Sequence, residues 1–450
     1  MMKTFLKISI GVLSIICADA LAIAPGKDPK IEWIRDHAVP IRSVDIQDDD
    51  FSELMPLAKA IGKARIVQLG EATHGDGTTF LAKQRLIRFL HEVMGFDVLV
   101  FESPLLACRL MDAAMRDPAK TAYEAAKDNI YGIWAESEQV QGLLEYIKAA
   151  QKTVWPLQIV GVDCRLGSSS MKEKIVPEFI INFFDRIDPL RLTKENREEI
   201  IKICKTVEYS DYYNKPGKRD LDMSVMHNMV QYLDARIDLV EERSSREEIE
   251  FVRQVIQSEI KYEQWCHAVG QKGDNIRAPT RDMIMGENLV WLADRVNPGH
   301  KLIVWAHNFH VMEANYLLRA EEDFEKYDAL DPVMGPMGHV ASRKLGSQVY
   351  TIGFLGNSGS WGLANADEKP TEIPPAKEGS LDWYLNQADA PYVFLDFQGL
   401  PKDHWLRKPM PARFYFWEEN VSPWPRIFDA VFFSREMRPS TKVGLRTEQK

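Results

Sequence analysis

The sequence predicts an α/β fold: a mostly parallel sheet flanked by helices, with an inserted helical subdomain. Three observations predict it. Short apolar runs recur along the chain, among them Ile66–Leu69, Phe96–Phe101, Leu157–Val162 and Leu302–Trp305, and read as buried strands. Amphipathic helical stretches separate them, which is the order of βαβ units and implies parallel pairing with right-handed crossovers. Residues 171–270 differ in character: they are rich in Glu, Lys and Arg, carry apolar residues at helical spacing, and show no strong strand.

The elements follow in order. Lys3 and Lys7 precede an apolar run, Ile8 to Cys17, and a small-residue box, Ala20-Leu21-Ala22. This is the pattern of a cleaved export signal over residues 1–22, and it predicts a periplasmic or secreted protein. The run is short for a membrane span of about 20 residues, so no membrane association is expected after cleavage. Leu54, Leu57 and Ile61 define a helix over 51–61, and the first strand covers 64–69. A turn with Glu71, His74, Gly75 and Gly77 leads into a helix from about Thr78, with Phe80, Ile87, Leu90 and Met94 as its apolar stripe. Lys83 lies on that stripe, either as a cation turned toward the turn or as a lysine with a buried stem. Arg85, Arg88 and Glu92 fall on another face and are expected to be solvated.

The second strand, 96–101, ends at Glu102. Residues 105–150 are helical, with a break near Asp117-Pro118. The third strand, 157–162, ends at Asp163, with Arg165 just beyond. After the 171–270 insertion, which suits a lid, a dimer surface or a plain helical appendage, residues 271–275 read as a loop. A helix from Arg281 to Ala293 stops before Asn297-Pro298-Gly299. The strand after it runs into His307 and His310. Residues 348–355 form a strand, 356–362 a Gly/Ser-rich turn, 392–397 a strand and 429–433 a short strand. No element is assigned to the Pro-, Trp- and Arg-crowded stretch 400–426. Residues 23–170 and 271–443 thus make one α/β domain, interrupted by the helical insertion.

A formal charge of -10 argues against nucleic acid as a partner. Four cysteines follow the signal, Cys108, Cys164, Cys204 and Cys266. Their wide spacing is neither a zinc pattern nor a dense disulfide framework, and bridges and buried thiols both fit.

Ligands of open α/β sheets bind at the carboxyl ends of the strands. Ionisable residues stand at four such ends here: Glu71 and His74, Glu102, Asp163 and Arg165, His307 and His310. Imidazoles suit general acid–base work, and a carboxylate holds an imidazole in one tautomer. Lys83 or a protonated histidine suits an oxyanion. The chain has no Gly-x-Ser-x-Gly elbow, so attack by histidine-activated water is the natural reading. Two alternatives remain open at this level. One is a divalent metal held by the three histidines and the carboxylates; the other is a non-catalytic ligand- or metal-binding protein.

Several of these pieces resemble the erythromycin esterase family. They are Leu69-Gly70-Glu71-Ala72-Thr73-His74-Gly75, Gly95-Phe96 with Phe101-Glu102, and Gly161-Val162-Asp163. The others are Arg281-Asp282-x-x-Met285-x-Glu287-Asn288 and Trp305-Ala306-His307-Asn308-x-His310. They occur in the family's order across about residues 31–443. The resemblance implies an α/β core with an inserted helical part, and hydrolysis of an ester such as the macrolactone of erythromycin, an antibiotic-resistance chemistry. It places the family's active-site carboxylate on Glu71 and its general base on His74. It places the basic residue of the next helix on Lys83, the second-strand carboxylate on Glu102, and the paired histidines on His307 and His310. Asp163, Arg165, Arg281 and Glu287 are the candidates for substrate binding. The expected partner is a small-molecule ester or lactone, with no cofactor required unless the divalent-metal alternative holds.

Overall fold

The computed structural model of the chain describes residues 28–168, 170–206, 221–272, 280–318 and 335–444. The export signal expected over residues 1–22 and most of the loop expected at 271–275 lie outside them. Among the described residues eleven strands run β1 (Val39–Ile41), β2 (Ile66–Leu69), β3 (Val98–Pro104), β4 (Gln158–Asp163), β5 (Leu302–Trp305), β6 (Val349–Trp361), β7 (Thr371–Ile373), β8 (Tyr392–Asp396), β9 (Met410–Tyr415), β10 (Glu418–Ser422) and β11 (Ala430–Met437). Nine of them form one sheet in the order β1-β8-β11-β6-β2-β5-β3-β4, with β7 beside β6. The centre is parallel, from β11 through β6, β2, β5 and β3 to β4. Antiparallel pairs occur at β1–β8, β8–β11 and β6–β7. The α/β, mostly parallel sheet flanked by helices is therefore the observed architecture.

The apolar runs explain why the centre is parallel and deep. Val67, Leu69, Leu99, Phe101, Ile303 and Trp305 point to one layer, with the helices Gly77–Glu92 and Glu138–Ala150. Ile66, Val98, Val100, Leu302 and Val304 point to the other, with Arg281–Trp291 and Met337–Leu345. Successive strand residues face opposite ways, so a strand covered on both sides is apolar nearly throughout; the exception in β2, Gln68, donates to Thr351 Oγ1 at 2.9 Å. The described part of residues 171–272 holds no strand and is mainly helical, chiefly Val176–Ile187, Lys194–Thr206, Ser224–Ala235 and Arg246–Lys272. They share a third core in which Ile180, Phe184, Ile203, Met226 and Ile256 meet Leu105, Leu106 and Cys164 at the sheet's edge. Among the described residues no helix is long and apolar enough to cross a membrane.

Several local expectations change. Residues 356–361 continue β6 instead of turning, because the far end of the strand pairs with β7 and β11. Glu102 lies inside β3, not after it. The stretch 410–422 forms the β9–β10 hairpin. Arg85 is buried, not solvated: its guanidinium donates to Ser43 O, Asp50 O and Glu53 Oε1, each at 2.7 Å. Those acceptors come from residues 43–53 folding over the helix, and they make the burial tolerable. Cys108, Cys164, Cys204 and Cys266 are all buried free thiols.

Candidate active site

Strand order brings the four ionisable ends together. The chain passes from β2 to β3 to β4, and β5 then inserts between β2 and β3. Leu69 pairs with Trp305 and Trp305 with Phe101, so Glu71, His307 and Glu102 emerge on neighbouring strands at one level. Close backbone approach keeps them there. A Cβ at Gly70 would lie 2.0 Å from Asn308 Oδ1. The Asn308 amide in turn donates to Phe354 O and Phe414 O, both at 2.7 Å, and accepts from Phe354 N–H. Asn308 thus ties the turn after β5 to β6 and β9.

Glu71 is the hub of the first half. One carboxylate oxygen accepts from His74 Nδ1 at 2.7 Å and from Trp134 Nε1 at 3.3 Å. The other accepts from Lys83 Nζ at 2.7 Å. Glu71 and Lys83 are both 0 % exposed. Burial lowers the Lys83 ammonium, while Glu71 opposes that shift. The ammonium also sits 4.0 Å from the centre of the Trp305 ring and donates to Ala306 O. Lys83 is therefore on the inward face and spent on Glu71. His74 keeps about a quarter of its side chain exposed. Its Nε2 makes no hydrogen bond to a described residue.

The second half is an ion network around Glu102 and Asp163. Arg281 forms a two-point contact with Asp163 at 3.0 and 2.7 Å and reaches Glu102 at 3.0 Å. Asp163 also accepts from Tyr131 Oη at 2.6 Å and Arg165 Nε at 3.1 Å. Burial raises both carboxyls. For Glu102 the charges of His310, His74 and Arg281 outweigh it; for Asp163 those of Arg281 and Arg165 do, and both stay well below the usual carboxylate range. His310 lies between Asp282 at 2.5 Å and Glu102 at 3.0 Å. Burial lowers its imidazole, but the two carboxylates more than offset that and raise it to about 10. His310 is thus an imidazolium with both N–H groups committed.

His307 is the opposite case. Its Nε2–H donates to Ala72 O at 2.8 Å, and its Nδ1 accepts Phe309 N–H at 3.0 Å, capping the turn Asn308–Val311. Burial and the neighbouring His74 and His310 push it well below the ordinary histidine value. It is a neutral ring of fixed tautomer. Its centroid lies 5.1 Å from that of His74, which brings the two motifs into contact across the sheet edge.

Glu287 is not with the cluster. It lies on the outer face of the helix Arg281–Trp291, exposed, and pairs with Lys261 at 2.5 Å. Six helical residues carry it well round from Arg281. Arg165 is at the rim: its side chain is 41 % exposed, and its terminal nitrogens bond no described residue. Sequence reasoning missed Trp134, Tyr131, Asp282 and Asp76. Asp282 stands beside Arg281 in a quoted motif, so its signal was adjacent; the others lie on loops and short helices without periodicity. Asp76 accepts from Thr73 N–H, Thr73 Oγ1 and Trp417 Nε1. Burial nevertheless raises its carboxyl to about 7.

The β9–β10 hairpin closes one side. Its two turn residues, Phe416 and Trp417, have φ of 47° and 60°. A two-residue hairpin turn of this kind favours Asn-Gly, and other residues pay about 1–2 kcal/mol each there. Phe416 N–H donates to Ala72 O, the carbonyl that also accepts from His307.

Among the described residues, no three His, Cys, Asp or Glu side chains are arranged to hold a metal ion. The donor chemistry says why. Both nitrogens of His307 and of His310 are occupied, and Glu71, Glu102 and Asp163 are neutralised by Lys83, Arg281 and Arg165.

Fold and cluster define an α/β protein whose candidate acid–base site lies at the carboxyl edge of its parallel strands. The pattern of the erythromycin esterase family matches residues 91–437, opening after Lys83. A putative hydrolase of Bacillus subtilis, YbfO, is 29 % identical over 444 residues, covering 91 % of this chain and 92 % of that protein. Erythromycin esterase type II of Escherichia coli is 22 % identical over 397 residues, covering 83 % and 90 %. The solved structure of an erythromycin esterase EreC mutant in its open conformation superposes with a TM-score of 0.67 at 17 % identity, covering 90 % and 99 %. A Bacillus cereus protein superposes with a TM-score of 0.72 at 17 % identity, covering 92 % and 98 %. The chain belongs to the erythromycin esterase family and is a hydrolase of that family.

Proposed function

We propose that this hydrolase cleaves a carboxylic ester or lactone of a small molecule by direct attack of a water that His74 activates. The Glu71–His74 contact carries the reading. An Nδ1–H held by a buried carboxylate leaves Nε2 as the basic nitrogen, on the one imidazole of the cluster that keeps a nitrogen unspent. In this mechanism Nε2 takes the proton of water as oxygen attacks the acyl carbon, and Glu71 stabilises the imidazolium that forms. Lys83 and Trp134 fix Glu71. His74 then returns the proton to the leaving alkoxide. The oxyanion is met by Arg165, the cation at the rim whose terminal nitrogens bond no described residue, since Arg281 and the His310 imidazolium are paired with Asp163, Glu102 and Asp282. His307 is a positioning residue here, since its two nitrogens are committed. The Escherichia coli relative named for erythromycin makes macrolactones the first substrates to try. Export by residues 1–22 belongs to the same proposal and places the reaction outside the cytoplasm. The test is a hydrolysis screen by mass spectrometry with macrolides and simple esters. A product heavier than its macrolactone by one water, or a released acid and alcohol, is expected. No turnover of any ester or lactone would overturn the reading.

A further inference from the structure

The turn Phe416–Trp417 has no part in the proton chemistry, yet both residues hold a backbone conformation that L side chains rarely adopt. Strain of this kind persists only where the surroundings enforce it, and it collects at functional sites. The enforcement is visible. Phe416 N–H is held by Ala72 O, Trp417 Nε1 by Asp76, and Phe414 O by Asn308. Three bonds thus fasten the hairpin to the two motifs that carry His74 and His307. What the arrangement gains is the position of one ring. Phe416 stays 45 % exposed, although a phenylalanine favours burial. Its ring lies 5.0 Å from His307, tilted by 34°. Tyr415 stands edge-on to it at 4.7 Å, and the Phe309 ring lies 5.3 Å from that of Tyr415, tilted by 39°.

We propose that Phe416, with Tyr415 and Phe309, forms an aromatic platform that receives the apolar face of the substrate's acyl part beside the reacting carbonyl. The inference rests on the ester-hydrolase reading and adds the class of substrate: esters and lactones whose acyl part is a bulky saturated or aromatic body. Aromatic faces take such bodies by dispersion and loss of water, and an exposed ring on a rigid backbone does so with little ordering cost.

The experiment compares two esters of one alcohol, 4-nitrophenyl acetate and 4-nitrophenyl cyclohexanecarboxylate, with the full chain and its Phe416→Gly and Phe416→Trp variants. Glycine removes the ring and suits the positive φ, so the turn is kept. Binding of cyclohexanecarboxamide, which carries the same acyl body on a stable amide, is measured alongside by calorimetry. For Phe416→Gly the ratio of kcat/KM for the bulky ester over the acetate falls about tenfold or more, chiefly through KM, and the amide binds about tenfold more weakly. Phe416→Trp restores both. An unchanged ratio with unchanged amide affinity overturns the platform. If wild-type protein hydrolyses neither ester, the amide decides alone. Weaker binding by Phe416→Gly then supports the platform and counts against the hydrolytic reading. Equal binding, or none by the wild type, overturns the platform.

Discussion

Lys83→Met probes the centre of the site through folding stability. The substitution keeps an unbranched apolar stem and removes the ammonium. Glu71 is then left fully buried, with His74 and Trp134 as donors but no cation. Two unit charges about 4 Å apart attract by about 4 kcal/mol at an effective dielectric constant of about 20. Breaking a buried pair by removing one partner costs about 3–5 kcal/mol, because the remaining charge stays desolvated. Lys83→Met is therefore expected to destabilise by about 3–5 kcal/mol. Glu71→Gln is expected to cost a similar amount, since it strands the ammonium against Ala306 O and the Trp305 ring. The double variant has no stranded charge, so it should be less destabilised than the sum of the singles by about 2 kcal/mol or more. Urea denaturation of the four proteins, followed by tryptophan fluorescence, gives the cycle. A coupling below about 1 kcal/mol, typical of an exposed pair, would refute the claim that this ion pair is buried and dominant.

Three further predictions follow from the same geometry. The His310 imidazolium, raised to about 10 against an unfolded value near 6.5, stabilises the fold fully below the unfolded value and loses that contribution as pH rises toward 10. His310→Gln should flatten the fall in stability between about pH 7 and 10, measured by denaturation across that range. Asp76 works in the other sense: its native state keeps a proton that the unfolded chain releases, so stability falls as pH rises from the ordinary carboxylate range to about 7. Asp76→Asn should abolish that slope, read by thermal melts. Dialysis against a chelator should leave ester turnover intact, because the donors a cation needs are committed to Lys83, Arg281, Arg165 and backbone groups; loss of activity restored by a divalent ion would contradict this.

How much of this was legible in the sequence follows physical lines. β2, β3 and β5 announce themselves because a strand covered on both faces has no room for polar alternation. Lys83 was visible as a cation on an apolar stripe, since helical periodicity fixes the face on which a residue lies. The same periodicity puts Arg85 on a polar face, but its acceptors belong to residues 43–53, and nothing local reports that this segment crosses the helix. Three of the four strand ends are legible as ends, whereas Glu102 falls inside β3, and their adjacency depends on β5 inserting between β2 and β3, a long-range choice no local pattern shows. The β9–β10 hairpin was hidden because its turn carries Phe-Trp where Asn-Gly is the usual signal. The exposed position of Glu287 was equally out of reach, as a motif gives spacing and not the direction in which each side chain points.

The central claim is that His74 is the base. Its most direct test is kcat/KM of His74→Ala on whichever ester the wild-type protein hydrolyses, with folding checked by the unchanged denaturation midpoint. Removal of a positioned general base should lower the rate by about 10²–10⁴. A rate within a few fold of wild type would contradict the account.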